Sequence, residues 1–121
     1  MRISLAALMV VVAAATLPGV ARAQEGDAIF RRQCATCHAV QAGQNKIGPS
    51  IAGIVGKKAA NVPGFEYSDA MKAANITWTD DTLAKYLADP KGFVPNGKMV
   101  FNGLKKPDDV QAVIDYMKTL K

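Results

Sequence analysis

The apolar residues of this chain recur at helical spacing in short segments that Gly and Pro separate. The clearest segment follows Pro107, where the apolar side chains fall on one helix face at Val110, Val113, Ile114, Met117 and Leu120. Pro107 suits the first position of such a helix, and the two aspartates that follow it suit the positive helix end. The pattern therefore predicts a C-terminal helix that buries one face.

Weaker signals of the same kind predict three more helices. One begins near Asp27 and runs to Cys34. Ser68 and Asp69 cap a short helix over residues 70–74, and Thr79 opens another helix that Pro90 stops. Residues 42–64 contain repeated Gly and Pro and predict an irregular loop. No segment has the alternation of a strand, so the predicted fold class is all-α.

The N-terminal segment resembles an export signal. It has a short basic start at Met1-Arg2, an apolar run over residues 3–20, and the A-x-A cleavage pattern Ala21-Arg22-Ala23. We predict a cleavable signal peptide over residues 1–23 and one domain over residues 24–121, located in the periplasm. An uncleaved anchor is the alternative, because the apolar run approaches the length that spans a bilayer.

The charge balance is mild. The chain has 15 Lys and Arg against 10 Asp and Glu, a formal charge of +5. Removal of Arg2 and Arg22 with the leader would leave 13 basic residues and a charge of +3. Nucleic-acid binding usually needs a denser basic stripe and a matching fold motif. We therefore predict no nucleic-acid partner.

The chemistry of the chain is concentrated in the pentapeptide Cys34-Ala35-Thr36-Cys37-His38. C-x-x-C-H is the attachment signature of haem c, in which two thiols bind the haem vinyl groups and the histidine binds the iron. His38 is the only histidine, and Cys34 and Cys37 are the only cysteines. A thioredoxin-like pair would need a βαβ frame, and a closed zinc site would need four ligands. The motif therefore favours one covalently bound haem c.

A second axial ligand is expected from a methionine. Met1 and Met9 lie in the leader, Met117 lies on the apolar face of the last helix, and Met71 lies on the predicted short helix. Met99 alone lies in a Gly/Pro loop without a helical face to explain it. Met also fills gaps in protein cores, which is the alternative interpretation.

Five segments together resemble the mitochondrial-type class I cytochromes c, in their short bacterial periplasmic form. They are CATCH at 34–38, IGPSIAG at 47–53, PGFEYS at 63–68, DTLAKYL at 81–87 and KMVF at 98–101. The resemblance covers residues 26–119. It implies the small class I cytochrome c fold, in which helices and Gly/Pro-rich loops wrap around one covalently bound haem.

The resemblance also implies roles for single residues. His38 and Met99 would be the axial ligands, and the carbonyl of Pro49 would accept the other imidazole N–H. Tyr67 and Trp78 would hydrogen-bond a haem propionate, and Tyr86 would lie close to Met99.

Three residues depart from the usual pattern of these proteins. They are Lys57 in place of an Arg near the propionates, Met71 in place of a buried Asn, and Gly97 in place of a Thr beside the ligand loop. The ligand residues themselves match.

The function implied is a monomeric, soluble electron carrier and not an enzyme. Its partners would be a quinol-oxidising cytochrome bc complex, a terminal oxidase or a photosynthetic reaction centre. They would dock on a lysine rim around the haem edge, formed by Lys46, Lys91, Lys98, Lys105 and Lys106. A haem peroxidase or a ligand-binding haem module is the alternative, and either would require displacement of Met99 to open a coordination position.

Overall fold

The computed structural model describes residues 7–15 and 17–121 and contains five helices in that part of the chain. They are α1 (Pro18–Gln33), α2 (Asp69–Ala73), α3 (Asp80–Ala88), α4 (Pro90–Phe93) and α5 (Pro107–Lys118). The described residues form no strand, and their one isolated β-bridge joins Lys58 to Thr77. The all-α prediction is confirmed.

Side-chain caps explain where the short helices begin. The Ser68 hydroxyl accepts a hydrogen bond from the Met71 amide at 3.0 Å and starts α2. At α3, Thr79 and Thr82 form a reciprocal capping box, with bonds of 3.2 Å and 2.9 Å. Each cap satisfies amides that the first turn of a helix leaves without a partner.

The first helix is longer than the sequence pattern predicted. It begins at Pro18, and Asp27 lies inside it, where its carboxylate pairs with Arg31 at 2.9 Å. Pro18 occupies the first turn, where a missing amide hydrogen costs nothing, and the Ala, Arg, Gln and Glu residues that follow are strong helix formers. Asp27 therefore does not cap the helix, because the residues before it are themselves helical.

A short helix, α4, was not predicted. Pro90 does end α3, but it also occupies the first position of α4. The Asp89 carboxylate accepts a hydrogen bond from the Gly92 amide at 3.0 Å and so caps the new turn. Stopping one helix and starting the next are both consistent with the fixed backbone angle of proline.

The core is built where α1 packs on α5. Ile114, Val113 and Ala112 on α5 are almost completely buried, and the rings of Phe30 and Tyr116 lie 5.6 Å apart. Gly26 on α1 lies against the backbone of Ala112, where a Cβ atom would overlap the Ala112 carbonyl. This close approach fixes the two helices against each other.

The structure describes only part of the predicted leader. Residues 1–6 and 16 lie outside the described part of the chain, and residues 7–15 have no regular secondary structure. The cleavage pattern at residues 21–23 lies within α1. Within the described residues, no helix combines the length and the apolar character needed to cross a membrane.

Candidate functional site

A cavity of about 390 Å³ lies between the helices and the irregular loops, and all eight predicted site residues line it. They are Cys34, Cys37, His38, Pro49, Tyr67, Trp78, Tyr86 and Met99. The core residues Phe30, Leu83 and Val113 contribute to its walls, which are mainly apolar. Residues separated by more than sixty positions in sequence therefore meet around one space.

The two cysteines lie where α1 ends. Cys34 caps the helix, and its carbonyl accepts hydrogen bonds from the amides of Cys37 at 3.1 Å and His38 at 2.9 Å. This extra turn brings the three side chains to the same cavity. Burial, together with the neighbouring Cys37, raises the pKa of the Cys34 thiol to about 11, so this thiol is protonated at neutral pH. Both cysteines are free of disulfide bonds.

The imidazole of His38 is held in one tautomer. Its Nδ1 lies 2.7 Å from the carbonyl oxygen of Pro49. Because a carbonyl can only accept, Nδ1 carries the proton and Nε2 keeps its lone pair in the neutral ring. Burial lowers the pKa of His38, against the opposing effect of the Pro49 hydrogen bond. The larger effect, burial, favours the neutral imidazole, and with its proton on Nδ1 that ring has a free Nε2, which is the form that binds a metal.

Gly48 provides the surface on which the His38 ring lies. A Cβ atom at this position would overlap the imidazole, so that only glycine lets the backbone approach the ring so closely. The amide of Gly48 also donates a hydrogen bond to the Cys37 carbonyl at 2.8 Å. The loop after the C-x-x-C-H motif is thus fitted to the histidine.

Met99 enters the cavity from the loop before α5. The hydroxyl of Tyr86 donates to its sulfur at 3.7 Å, and the Tyr86 ring packs on that of Trp78 with centroids 5.0 Å apart. Met99 is partly buried, and its neighbour Val100 is 94% exposed. The thioether is therefore directed inward while the following side chain faces solvent.

The polar part of the lining is positively charged. Among the described residues that line the cavity, the charged ones are all lysines: Lys57, Lys58 and Lys98. Trp78 contributes a buried indole, and the hydroxyl of Tyr67 accepts a hydrogen bond from the Val62 amide at 3.1 Å. Accepting this bond leaves the phenol hydrogen available to donate.

These residues fit a haem c. The apolar walls suit the macrocycle, the paired thiols suit its vinyl groups, and the lysines suit its two carboxylates. The His and Met donors suit an iron that is held by two protein side chains. Lys57 lies on this lining at the position where the resemblance places an Arg, and Met71 lies on it too.

The five predicted rim lysines are not equivalent. Lys98 lines the cavity, and Lys46 precedes the cavity residue Ile47. Lys91 lies in α4, while Lys105 and Lys106 directly precede α5, and none of these three lines the cavity.

Two apolar residues that the sequence did not single out lie on the rim of the cavity. Ile47 is 78% exposed and Val100 is 94% exposed, and both line the cavity. Each lies within two residues of a rim lysine in sequence, Lys46 or Lys98. These side chains pack on little of the protein itself, and the sequence alone does not show that exposure.

Three comparisons place the chain among known proteins. The family model Cytochrome c matches residues 23–121. Cytochrome c2 iso-2 of Magnetospirillum molischianum is 57% identical over 88 residues, which cover 73% of this chain and 91% of that protein. Cytochrome c2 of Rhodoplanes tepidamans is 52% identical over 99 residues, covering 81% and 100%. The structure of cytochrome cH from Methylobacterium extorquens matches with a TM-score of 0.75 at 41% identity, covering 80% of this chain and 97% of that one.

Proposed function

Since the chain belongs to the cytochrome c family, whose cofactor is one covalently bound haem c, we propose that it shuttles single electrons between membrane redox complexes. Proteins of this family are electron carriers and not enzymes. The finer parts of the proposal are the attachment and ligand residues, the docking surface and the periplasmic location.

The residues around the cavity would hold the cofactor in a fixed coordination. Cys34 and Cys37 would form the thioether bonds, and His38 and Met99 would occupy the two axial positions. When bound, the haem iron alternates between the ferrous and ferric states and so carries one electron. The thioether of Met99 favours the ferrous state, and the apolar walls favour it further because they disfavour the extra charge of the ferric form.

The side chains next to the ligands would keep this geometry in both redox states. Pro49 and Gly48 fix the orientation of the His38 ring, and Tyr86 donates to the Met99 sulfur. With His38 and Met99 both holding the iron, substrate would have no coordination position to enter. This arrangement supports electron transfer over peroxidase or ligand-binding activity.

The proposed docking surface is the rim of the cavity. It comprises the apolar side chains of Ile47 and Val100 with Lys46 and Lys98 beside them, and further lysines at positions 91, 105 and 106. Such a surface fits an acidic site on a quinol-oxidising cytochrome bc complex, a terminal oxidase or a photosynthetic reaction centre. We further propose that residues 1–23 are removed on export and that residues 24–121 work in the periplasm.

The observation that carries the proposal is that His38 and Met99 line the same cavity as the two cysteines. The purified holoprotein should keep its haem through acid-acetone extraction and show a low-spin spectrum with a sulfur-to-iron band at the red end. Met99→Ala should lose that band, gain high-spin character and lower the potential by a large part of the roughly 0.8 V range that axial ligands span.

Met71→Ala is the matched control, because Met71 lines the same cavity from α2 and is not expected to bind iron. It should keep the band. Loss of the band in Met71→Ala together with its survival in Met99→Ala would show that Met71, and not Met99, is the iron ligand.

A further inference from the structure

Asn45 makes two hydrogen bonds that join separate parts of the site. Its side-chain oxygen accepts from the Ser50 amide at 3.0 Å. Its side-chain nitrogen donates to the Pro63 carbonyl at 3.0 Å. Asn45 therefore links the loop that follows His38 to Pro63, eighteen residues further along the chain, in the loop that leads to Tyr67.

The first of these bonds acts on the same peptide group that holds His38. The Ser50 amide and the Pro49 carbonyl belong to one planar peptide unit. Its N–H donates to Asn45, and its oxygen accepts from His38 Nδ1 at 2.7 Å. The chain of contacts therefore runs from Asn45 through a single rigid peptide to the imidazole.

Such chains of hydrogen bonds polarise one another. When the N–H of a peptide donates, its carbonyl oxygen becomes a stronger acceptor. A stronger acceptor draws the Nδ1 hydrogen of His38 and makes the opposite nitrogen a better electron donor. A more basic imidazole stabilises ferric iron relative to ferrous iron.

We propose that Asn45 is a positioning residue for His38, fixing the Pro49–Ser50 peptide so that the imidazole keeps its orientation and its donor strength. This inference rests on the proposed function only in taking His38 as an iron ligand. Asparagine suits the position because it offers an acceptor and a donor at once and stays neutral.

The surrounding contacts keep that peptide from finding another arrangement. Ser50 is 2% exposed, and its hydroxyl donates to the Gln41 carbonyl at 2.7 Å and accepts from the Ala52 amide at 3.2 Å. These bonds fix the Ser50 side chain between Gln41 and Ala52. Removing the Asn45 side chain should leave the Ser50 amide without its acceptor.

The test uses the holoprotein with Asn45→Ala. Its midpoint potential should move to a more positive value than that of the parent, measured by redox titration. Exchange of the His38 Nδ1 hydrogen, followed by NMR in the ferrous state, should accelerate roughly tenfold, the order expected for one weakened hydrogen bond.

Thr82→Val is the matched control. It removes several hydrogen bonds at the start of α3, among them the donation to the Thr77 carbonyl at 2.6 Å, away from His38. It should lower stability while leaving both the potential and the exchange rate as in the parent. An equal shift in Thr82→Val would overturn the inference, since the effect would then follow stability alone.

Asn45→His is designed to keep the two hydrogen bonds of Asn45, to the Ser50 amide and the Pro63 carbonyl. Above about pH 6.5, the usual pKa of His, its ring is neutral and offers one donor and one acceptor, so the parent potential should return. Below that pH both ring nitrogens donate, and the potential should rise relative to the parent at the same pH.

Different results would refute the proposed iron ligands and the proposed role of Asn45. A parent protein without the sulfur-to-iron band would refute the proposed ligands. A parent with the band, combined with an unchanged potential and an unchanged exchange rate in Asn45→Ala, would refute the role of Asn45 alone.

Discussion

At the residue scale, the site depends on backbone groups that approach the ligand side chains closely. Gly48 lies against the His38 ring, and the Pro49 carbonyl takes its Nδ1 hydrogen. One short loop thus sets the position, the tautomer and the basicity of the histidine. As the proposed iron ligand, a histidine held in this way would have little freedom to rearrange when the charge of the iron changes.

Gly48→Ala should therefore be destabilising. The added Cβ overlaps the imidazole, and the ring can move only by breaking its bond to Pro49. Overpacking of this kind costs about 1–3 kcal/mol. Denaturant titration of the holoprotein should show a loss of that size.

Gln44→Ala is the control for this substitution, since Gln44 is exposed in the same loop. It should change the free energy of unfolding by less than about 0.5 kcal/mol. A Gly48→Ala protein as stable as Gln44→Ala would show that the loop accommodates the added methyl group without loss of stability.

At the scale of elements, the contact of α1 with α5 forms the apolar core beside the cavity. The Cys34-Cys37 turn continues from α1, and Val113 and Met117 of α5 line the cavity. The position of the cysteines relative to the cavity wall is therefore set by how closely the two helices approach.

Gly26→Ala should disrupt this approach. The new Cβ overlaps the Ala112 backbone carbonyl and lies close to Tyr116, and a backbone group cannot move aside as a flexible side chain can. We expect a loss of about 3 kcal/mol, at the upper end of the range for overpacking, measured by thermal or denaturant unfolding.

Glu25→Ala tests whether any substitution in this part of α1 has the same effect. Glu25 is exposed and adjacent to Gly26. Alanine is also the better helix former, so stability should change little. Similar losses in both variants would contradict the explanation by close packing.

At the scale of the whole molecule, the distribution of charge matters more than its sum. Within the described residues, the salt bridges use Arg31, Lys72, Lys85 and Lys118 as their cations. The lysines of the proposed rim that make hydrogen bonds do so with backbone carbonyls, as Lys46 does with Ala35 at 2.8 Å and Lys98 with Glu66 at 2.9 Å. Carbonyls orient these ammonium groups without neutralising them.

Electron transfer to an acidic partner should therefore slow as salt is added. Between about 0.01 M and 0.15 M the screening length falls from about 30 Å to about 8 Å. Electrostatic steering accelerates association by 10-fold to 1000-fold, so we expect a fall of about tenfold or more in the second-order rate. Stopped-flow mixing with an acidic redox partner measures it.

Two variants separate the effect of where a positive charge lies from the effect of the net charge. Lys46→Gln keeps an N–H donor for the Ala35 carbonyl and removes one positive charge at the rim. Lys118→Gln removes the same charge from the end of α5, where Lys118 pairs with Asp80. Lys46→Gln should weaken the salt dependence more. Equal effects would mean that only net charge steers the encounter.

The sequence by itself determined the chemistry of this protein. A single histidine, two cysteines at fixed spacing and one methionine outside any helical face leave few ways to hold a cofactor, and the family motifs around them agree. Helices α2, α3 and α5 were also predictable because their signals are local, a side-chain cap at α2 and α3 and a first-turn proline with an apolar face at α5. The start of α1 was missed because Asp27 has the character of a helix cap although it lies inside the helix, and α4 was missed because Pro90 both ends α3 and begins the next turn.

Only the tertiary structure decided which residues contact the proposed ligand His38 and its loop. Gly48 and Asn45 lie in an irregular loop, where no periodicity distinguishes one residue from the next. Their roles depend on contacts with His38, Pro63 and the Pro49–Ser50 peptide, which exist only once the loops have packed. The exposure of Ile47 and Val100 likewise follows from the packed surface, because a sequence records that a side chain is apolar but not which neighbours cover it.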